Sequence, residues 1–280
     1  MDPSNLGENM KKQMREGQTK MGVFLNSGST VVADQFAHMG YDWLLVDTQH
    51  GPMDPMTLSA MLTAISAGGC LAMVRVASWD DRKGIQTALD CGADGILIPY
   101  INNRKEAEEA VSCCLYPTKG TRSVYFPQRC TNKRGLLGYC GKANDNIVVA
   151  IQVETADCIK NIDDIMTIEG LDMAFLGQND LCLSMGLYEK YVFPQMYFSD
   201  ELNAATDKMI KACQKNDKIL GLFLFGTERV EEFIKKGYRF ISIGNDLHHM
   251  LTTAQTFTKN VEALKDGDKQ IWTKRPSSLL

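Results

Sequence analysis

Short apolar runs alternate with amphipathic segments along most of the chain. The apolar runs show little alternation, as in WLLV (43–46), which is typical of strands buried on both faces. The segments between them carry apolar residues at helical spacing. The strand-like runs occupy residues 21–27, 41–49, 70–78, 95–101, 146–155, 171–180, 219–225 and 238–246. This pattern predicts eight strand–helix units and a parallel sheet covered by helices.

Eight such units in about 250 residues have the size of a (β/α)8 TIM barrel. The alternative is a doubly wound open sheet, but LNSGST (25–30) lacks the GxGxxG turn of a dinucleotide-binding sheet. We therefore predict a parallel eight-stranded barrel over residues 20–265. A polar segment (1–19) precedes it and a tail (266–280) follows, in which Trp272 suggests docking onto the protein.

Composition and charge narrow the class of protein. The 280 residues are 44% hydrophobic, and 30 Lys and Arg against 34 Asp and Glu give a net charge of −4. This mildly acidic chain without a basic run argues against a nucleic-acid partner. No apolar run is long enough to span a membrane, and the N-terminus lacks the features of a secretory signal or transit peptide. Nine cysteines without metal-type spacing indicate reduced thiols, so we expect a cytoplasmic protein.

Polar side chains end most of the predicted strands, at the edge where barrel enzymes hold their active sites. They are Asp47, Gln49 and His50 on strand two, Arg75 on three, Gln152 and Glu154 on five, Gln178, Asn179 and Asp180 on six, and Asn245 and Asp246 on eight. Strand four ends apolar in LIPYI and strand seven in FLF. Any one polar residue could be an ion-pair partner or a helix N-cap, and we assign the N-cap role to Asp246.

The combination of these polar residues is harder to explain by ion pairs and N-caps alone. Glu154 and Asp180 end consecutive strands, which lie about 5 Å apart in a barrel. Two carboxylates that close repel each other unless a cation or a proton lies between them. Oxygen ligands suit Mg²⁺ or Mn²⁺. With Arg75 and His50 nearby, the sequence predicts a site that binds anions and moves protons.

At these residues the sequence resembles a known family. The motifs that carry the resemblance are DTQH (47–50), VRVASWDD (74–81), LDCGADGILIPYI (89–101), KAND (142–145) with IQVET (151–155), and FLGQNDLCLSMG (175–186). They are similar to those of the divalent-metal-dependent (class II) pyruvate aldolases of the 4-hydroxy-2-oxoheptanedioate aldolase type, which include macrophomate synthase and 2-keto-3-deoxy sugar-acid aldolases. The resemblance covers residues 20–255 and implies a carbon–carbon lyase that joins or separates pyruvate enolate and an aldehyde.

The resemblance also implies the roles of single residues. Metal ligation falls on Glu154 and Asp180. The catalytic histidine is His50, and Arg75 stabilises the enolate and contacts substrate.

Three further roles follow from the same resemblance. Gln152 and Asp180 contact the substrate, and Asn179 offers its backbone N–H to the pyruvyl carboxylate. The family also has a carboxylate that raises the basicity of the histidine, and the corresponding residue here is Asp90. Because Asp90 ends a helix, it could reach His50 only through a bend or from another subunit, and Asp47 is the alternative.

The cofactor implied is Mg²⁺ or Mn²⁺, with Co²⁺ as a further option, and the partners are a 2-oxo acid and an aldehyde. The family assembles as a hexamer through the C-terminal helix. Here the helix around 247–265 presents an apolar stripe of Leu251, Ala254, Phe257 and Val261. The stripe predicts a homo-oligomer, and a stripe facing the protein's own core is the alternative.

The sequence departs from the family at three places, and the third, a loop, is the one that helps shape the aldehyde side of the site. Gln49 stands where a Glu is usual, Gln178-Asn179 stand for Pro-Ala, and GTRSVY (120–125) keeps Arg122 but not the small residues around it. Two other functions therefore remain: a metal-dependent decarboxylase or acyl-CoA lyase with the same enolate chemistry, and an inactive metabolite-binding barrel. No Lys ends a strand, which agrees with metal rather than imine chemistry.

Overall fold

The computed structural model describes residues 5–125 and 135–265. Its strands form a closed barrel in which each strand pairs in parallel with the next and β8 pairs with β1. The strands are β1 (Lys20–Leu25), β2 (Trp43–Asp47), β3 (Leu71–Arg75), β4 (Gly95–Ile98), β5 (Val148–Val153), β6 (Met173–Leu176), β7 (Ile219–Leu224) and β8 (Phe240–Asn245). The predicted (β/α)8 barrel is thereby confirmed.

Helices follow the strands around the outside of the barrel. They are α1 (Leu6–Arg15), α2 (Thr30–Ala37), α3 (Pro55–Ala67), α4 (Arg82–Asp90), α5 (Arg104–Cys114), α6 (Gly135–Asn146), α7 (Ala156–Ile165), α8 (Gln178–Ser184), α9 (Leu187–Lys190), a 3₁₀ helix (Gln195–Phe198), α10 (Asp200–Lys215), α11 (Val230–Lys235) and α12 (Asp246–Lys265). Side-chain caps start several of them, such as Asp54 before Pro55 and Thr155 before α7. Over residues 5–125 and 135–265, no helix is both long and apolar enough to cross a bilayer.

The barrel interior is filled by every second residue of the strands, because side chains alternate between the two faces of a sheet. Trp43 and Phe240 stack there with ring centroids 3.9 Å apart. Gly22 makes room for this pair, since a Cβ at that position would lie 2.1 Å from the Trp43 ring. The same alternation carries Asp47 and Arg75 to the carboxyl end of the interior.

The N-terminal segment contains a packed helix that its polar composition did not predict. Met10 and Met14 on α1 are buried among the side chains of the barrel interior. Lys11 donates from Nζ to Asp172 Oδ2 (3.1 Å) and to the Ile147 carbonyl (2.8 Å). Because Asp172 directly precedes β6, α1 covers the end of the barrel opposite the predicted site.

The apolar stripe on α12 faces outward. Leu251, Phe257 and Val261 are 53%, 61% and 43% exposed, and Ala254 is exposed as well. The alternative of a stripe packed on the protein's own core therefore does not hold for this chain. The predicted docking of Trp272 lies outside the described residues.

Candidate active site

Asp47 and Arg75 form the base of the site. They are direct partners in the register of β2 and β3, and both side chains point into the barrel mouth. Arg75 donates from Nε to Asp47 Oδ1 (3.0 Å) and from Nη2 to Asp47 Oδ2 (2.7 Å). Asn26 adds a hydrogen bond of 2.6 Å to Asp47 Oδ2. The Arg75 fork is thus fixed in one orientation.

The ion pair has electrostatic consequences for Asp47, which is fully buried. Burial alone would raise the pKa of this carboxyl group. The hydrogen bonds and the charge of Arg75, with the backbone N–H groups of His50 and Gln49, outweigh burial and hold the pKa below its ordinary value. Asp47 therefore remains a carboxylate and keeps Arg75 in place.

A chain of hydrogen bonds leads from Arg75 to β5. Arg75 Nη1 donates to Gln152 Oε1 (3.2 Å), and Gln152 Nε2 donates to Glu154 Oε2 (2.5 Å). The other oxygen of Glu154 accepts the backbone N–H of Tyr100 at 2.7 Å. Tyr100 has a φ of 59°, which is rare for a bulky residue. Its backbone contribution was missed in the sequence because only the side chains of strand ends were considered.

Glu154 and Asp180 follow two strands that are direct neighbours in the barrel, β5 and β6. Glu154 follows β5 directly and is buried, and Asp180 lies in the first turn of α8 after β6. Burial raises the pKa of Glu154, and the charge of Asp180 adds to the rise, which the hydrogen bonds from Tyr100 and Gln152 offset only in part. Gly177 permits this close arrangement, because a Cβ there would approach Gln152 Nε2 and Glu154 Cβ to 3.0 Å.

These two carboxylates fit a hard divalent cation. They supply only oxygen, and a cation beside them would stabilise the charged form of Glu154, which burial and, to a smaller extent, the charge of Asp180 disfavour. Among the described residues, no group of three or more His, Cys, Asp or Glu side chains is arranged as a metal site. Such a cation would therefore complete its shell with water and substrate oxygens, as Mg²⁺ usually does.

His50 and Gln49 lie just beyond the end of β2. His50 is exposed and lines the cavity, and its backbone N–H and that of Gln49 point to Asp47 Oδ1 at 3.4 and 3.1 Å. The Oε1 atom of Gln49 is buried without a hydrogen-bond partner in the described part of the chain. A buried acceptor of this kind is expected to bind a water or a ligand atom.

Asn179 lies in the first turn of α8 at the edge of the cavity. Its side-chain oxygen accepts the hydroxyl hydrogen of Tyr197, which comes from the 3₁₀ helix. Tyr197 also lines the cavity. It could not be found in the sequence, because it belongs to an irregular stretch that has no periodic pattern.

Asp90 lies elsewhere in the protomer. It ends α4 and accepts hydrogen bonds from Arg122 Nη2 (3.2 Å) and Gln86 Nε2 (2.7 Å). Arg122 is buried with its Cζ 4.5 Å from the centre of the Tyr116 ring. Neither Asp90 nor Arg122 is among the described residues that line the cavity, so the same-chain contact of Asp90 with His50 is not formed.

Asp246 does not act as an N-cap, so that assignment is corrected. Its Oδ1 and Oδ2 accept the backbone N–H groups of Asn26 (2.8 Å) and Ser27 (3.2 Å), which ties the β1–α2 loop to β8. The preceding residue, Asn245, accepts the N–H of His248 at 2.8 Å and caps α12. The cap is one residue earlier because Asp246 already belongs to the helix.

One cavity of about 510 Å³ opens at the carboxyl end of the barrel and brings these groups together. The predicted site residues that line it are His50, Arg75, Gln152, Asn179 and Asp180, with Asp47. Glu154 lies behind this lining and is hydrogen-bonded to Gln152, which belongs to it. The remaining wall includes Phe24, Phe175, Phe223, Phe225 and Arg229.

Comparisons with known proteins show what this chain is similar to. The sequence profile of the HpcH/HpaI aldolase/citrate lyase family matches residues 20–253. A 4-hydroxy-2-oxo-heptane-1,7-dioate aldolase of Escherichia coli is 30% identical over 262 residues, 92% of this chain and 97% of that protein. A hydroxypyruvate/pyruvate aldolase of Sagittula stellata is 38% identical over 176 residues, 63% of this chain and 69% of that one. The crystal structure of a HpcH/HpaI aldolase/citrate lyase family protein from Burkholderia cenocepacia has a TM-score of 0.82 at 26% identity, covering 91% and 99% of the chains.

Proposed function

Because this chain belongs to the HpcH/HpaI aldolase/citrate lyase family and is an aldolase, a carbon–carbon lyase, we propose that it cleaves or forms the bond between pyruvate and an aldehyde with the help of a divalent metal ion. Its substrate is then a 4-hydroxy-2-oxo acid. Glu154 and Asp180 would hold the metal, with Mg²⁺ or Mn²⁺ favoured over Co²⁺ because all the ligands are oxygens.

The metal, when bound, supplies a Lewis acid for the C2 carbonyl of the oxo acid. Arg75 offers the Nη1 end of its guanidinium to the oxygen on which enolate charge develops, and Asp47 holds the group in place beforehand through its Nε–Nη2 edge. Gln152 is hydrogen-bonded to both Arg75 and Glu154, and it would contact the oxo acid beside these two residues. The backbone N–H of Asn179 donates a hydrogen bond to the pyruvyl carboxylate.

His50 moves the protons of the reaction. In cleavage it takes the proton of the C4 hydroxyl, the C3–C4 bond breaks, and its electron pair remains on pyruvate as the enolate. The aldehyde leaves, and the proton held by His50 returns to C3 of the enolate. Condensation is the same sequence in reverse, so no further reactant is needed. An imidazole suits this role because its ring nitrogen can both accept a proton and return it.

The observation that carries this proposal is the continuous hydrogen-bonded chain Asp47–Arg75–Gln152–Glu154. It joins a fixed cation to a buried carboxylate across the barrel mouth. A barrel that only stored a metabolite would have no need for an arginine preorganised by a buried acid. Of the residues that have a role in this mechanism, His50, Asn179 and Asp180 lie outside this hydrogen-bonded chain.

We propose in addition that the protein is a cytoplasmic homo-oligomer, a hexamer by family resemblance. The outward-facing stripe on α12 supports association, because exposed apolar patches of this kind usually mark an interface. The free cysteines among the described residues support a reducing compartment.

Exchange of the pyruvate methyl protons in D₂O, followed by NMR, tests the enolate step without any aldehyde. We expect exchange that stops with EDTA and returns with Mg²⁺ or Mn²⁺, together with metal-dependent cleavage of 4-hydroxy-2-oxo acids. Decarboxylation of oxaloacetate with no cleavage of such acids would favour the decarboxylase alternative. Absence of exchange under all metals would indicate an inactive barrel.

A further inference from the structure

The apolar end of β7 contributes an aromatic surface to the cavity. Phe223 and Phe225 pack with Phe24 of β1 in a row that we call the aromatic wall. The ring centroids of Phe24 and Phe223 are 5.5 Å apart and those of Phe223 and Phe225 are 5.2 Å apart, both in edge-to-face geometry. The two phenylalanines of the FLF motif at the end of β7 therefore form part of the cavity surface, although they have no role in the pyruvate chemistry.

The aromatic wall leads from the reacting centre to solvent. At its inner end, Arg75 Cζ lies 5.2 Å from the centre of the Phe24 ring. At its outer end, Phe225 is 48% exposed at the cavity mouth. A molecule that approaches an enolate held at Arg75 from outside therefore lies along these rings. Exposed aromatic rings beside a cavity favour an apolar ligand.

The charges around the mouth do not favour an anionic acceptor. Arg229 lines the cavity, but its Nε and Nη2 donate to the two oxygens of Glu232 at 2.8 and 3.0 Å. Its Cζ is 4.8 Å from the centre of the Phe198 ring, which fixes the side chain further. Glu228 adds an exposed carboxylate at the same rim.

Two further polar side chains of the cavity lining are also engaged. Tyr197 donates its hydroxyl hydrogen to Asn179, and Asn26 donates to Asp47. A carboxylate on the acceptor would thus meet aromatic rings, an acid and an arginine already paired with an acid. An anion placed there would give up hydration for little return, because both arginines among the described lining residues are already paired with acids.

From this arrangement we propose that the acceptor is a neutral aldehyde with an apolar or aromatic body, which lies on the aromatic wall. The inference rests on the proposed function, since it concerns the aldehyde half of the same reaction. It distinguishes this chain from an aldolase for a heptane-1,7-dioate, whose cleavage releases an aldehyde that carries a carboxylate.

The wild-type enzyme tests the inference directly through condensation of pyruvate with three aldehydes. Butanal and succinic semialdehyde have the same number of carbons and differ in the terminal carboxylate, and benzaldehyde adds an aromatic body. We expect kcat/KM for butanal and benzaldehyde to exceed that for succinic semialdehyde by about tenfold or more. A preference for succinic semialdehyde would overturn the proposal.

Phe225→Ala tests the wall itself, and because the Phe225 side chain is exposed, we expect the fold to be retained. We expect kcat/KM for benzaldehyde to fall by about tenfold relative to that for succinic semialdehyde, as for loss of one hydrophobic contact. Met39→Ala is the control, because it removes a large apolar side chain that is 63% exposed and does not line the cavity. An unchanged ratio of the two aldehydes in Phe225→Ala would overturn the assignment of the wall.

Pyruvate exchange in D₂O separates the two proposals. If exchange occurs but the acceptor preference is reversed, the aromatic wall is misassigned and the aldolase proposal stands. If neither exchange nor condensation with any of the three aldehydes occurs, the proposed function fails, and the acceptor class fails with it.

Discussion

The guanidinium of Arg75 forms a two-pronged ion pair with the carboxylate of Asp47. Two bonds of 3.0 and 2.7 Å join the residues across neighbouring strands, in direct register. The pair leaves Nη1 to reach Gln152. A single arginine thereby connects a buried anion to the residues around the predicted metal site, and this geometry depends on the planar fork of the side chain.

Arg75→Lys keeps the positive charge but cannot make both bonds to Asp47 and reach Gln152 as well. We expect kcat to fall by about 100-fold, as for removal of one donor that stabilises the transition state, with a smaller change in KM. Steady-state kinetics of aldol cleavage measures both. Arg104→Lys, in an exposed ion pair with Glu108, is the control. A change confined to KM would mean that Arg75 only binds substrate.

Glu154→Gln and Asp180→Asn should each weaken divalent-metal binding and abolish cleavage while leaving the fold intact. The raised pKa of Glu154 gives the sign of the pH dependence: as pH falls, this carboxyl takes up a proton earlier than an ordinary one, so Mn²⁺ binding should weaken. Titration with Mn²⁺ followed by EPR at pH 7 and pH 5 measures this.

Glu169→Gln is the matched control for metal binding, since its side chain is 87% exposed and pairs with Lys119 at the surface. It should bind Mn²⁺ like the wild type. Full activity of a metal-stripped Glu154→Gln/Asp180→Asn double variant would refute the assignment of the metal ligands.

Asp90→Asn distinguishes a structural from a catalytic role for this residue. Arg122, fully buried in its side chain, would lose the charge of its partner, and we expect a loss of about 1–3 kcal/mol in the free energy of unfolding. Chemical denaturation measures it, with Glu108→Gln in the exposed pair with Arg104 expected to lose less than about 1 kcal/mol.

The pH–rate profile of Asp90→Asn carries the second half of this test. If Asp90 serves His50 across a subunit boundary, as the resemblance implies, the profile should move while stability changes little. The contact with Arg122 leads us to expect the opposite: a loss of stability with an unchanged profile.

The sequence predicted the barrel and most of the cavity for one physical reason. Side chains alternate along a strand, so polar residues at Asp47, Arg75 and Gln152 were bound to reach the carboxyl end of the interior once the strands were recognised. Tyr197 could not be predicted in this way, because its position depends on how an irregular connection folds. The contact of Asp90 with Arg122 likewise could not be predicted, because it depends on how a segment 32 residues further along the chain folds back onto α4.

The two polar residues just beyond β2 lead to two further predictions. His50→Ala should reduce aldol cleavage by roughly 100-fold or more, because a positioned general base contributes about that much. Pyruvate binding, measured by calorimetry, should persist. His38→Ala is the control, since His38 is also exposed and lies outside the cavity lining. Near-normal turnover in His50→Ala would show that the imidazole has a structural role.

Gln49→Glu concerns the buried amide oxygen beside His50. In our interpretation Gln49 Oε1, which lacks a protein partner among the described residues, holds a water near the metal site without accepting its proton. A carboxylate has the same shape but a charge, and it would favour the protonated, inactive form of the base site. We therefore expect the fold to be unchanged and the acidic limb of the pH–rate profile for kcat to move to higher pH. Protonation of Asp47 cannot account for this limb. Burial would raise the pKa of Asp47, but the hydrogen bonds and charge of Arg75 outweigh burial, so the pKa lies below its ordinary value. The ion pair, and the stability that it contributes, is therefore lost only at lower pH. Gln35→Glu, on α2 away from the cavity, provides the matched control for the added charge. If the pH–rate profiles of Gln49→Glu and Gln35→Glu coincide, the water held by Gln49 takes no part in the reaction, and this role of Gln49 is refuted.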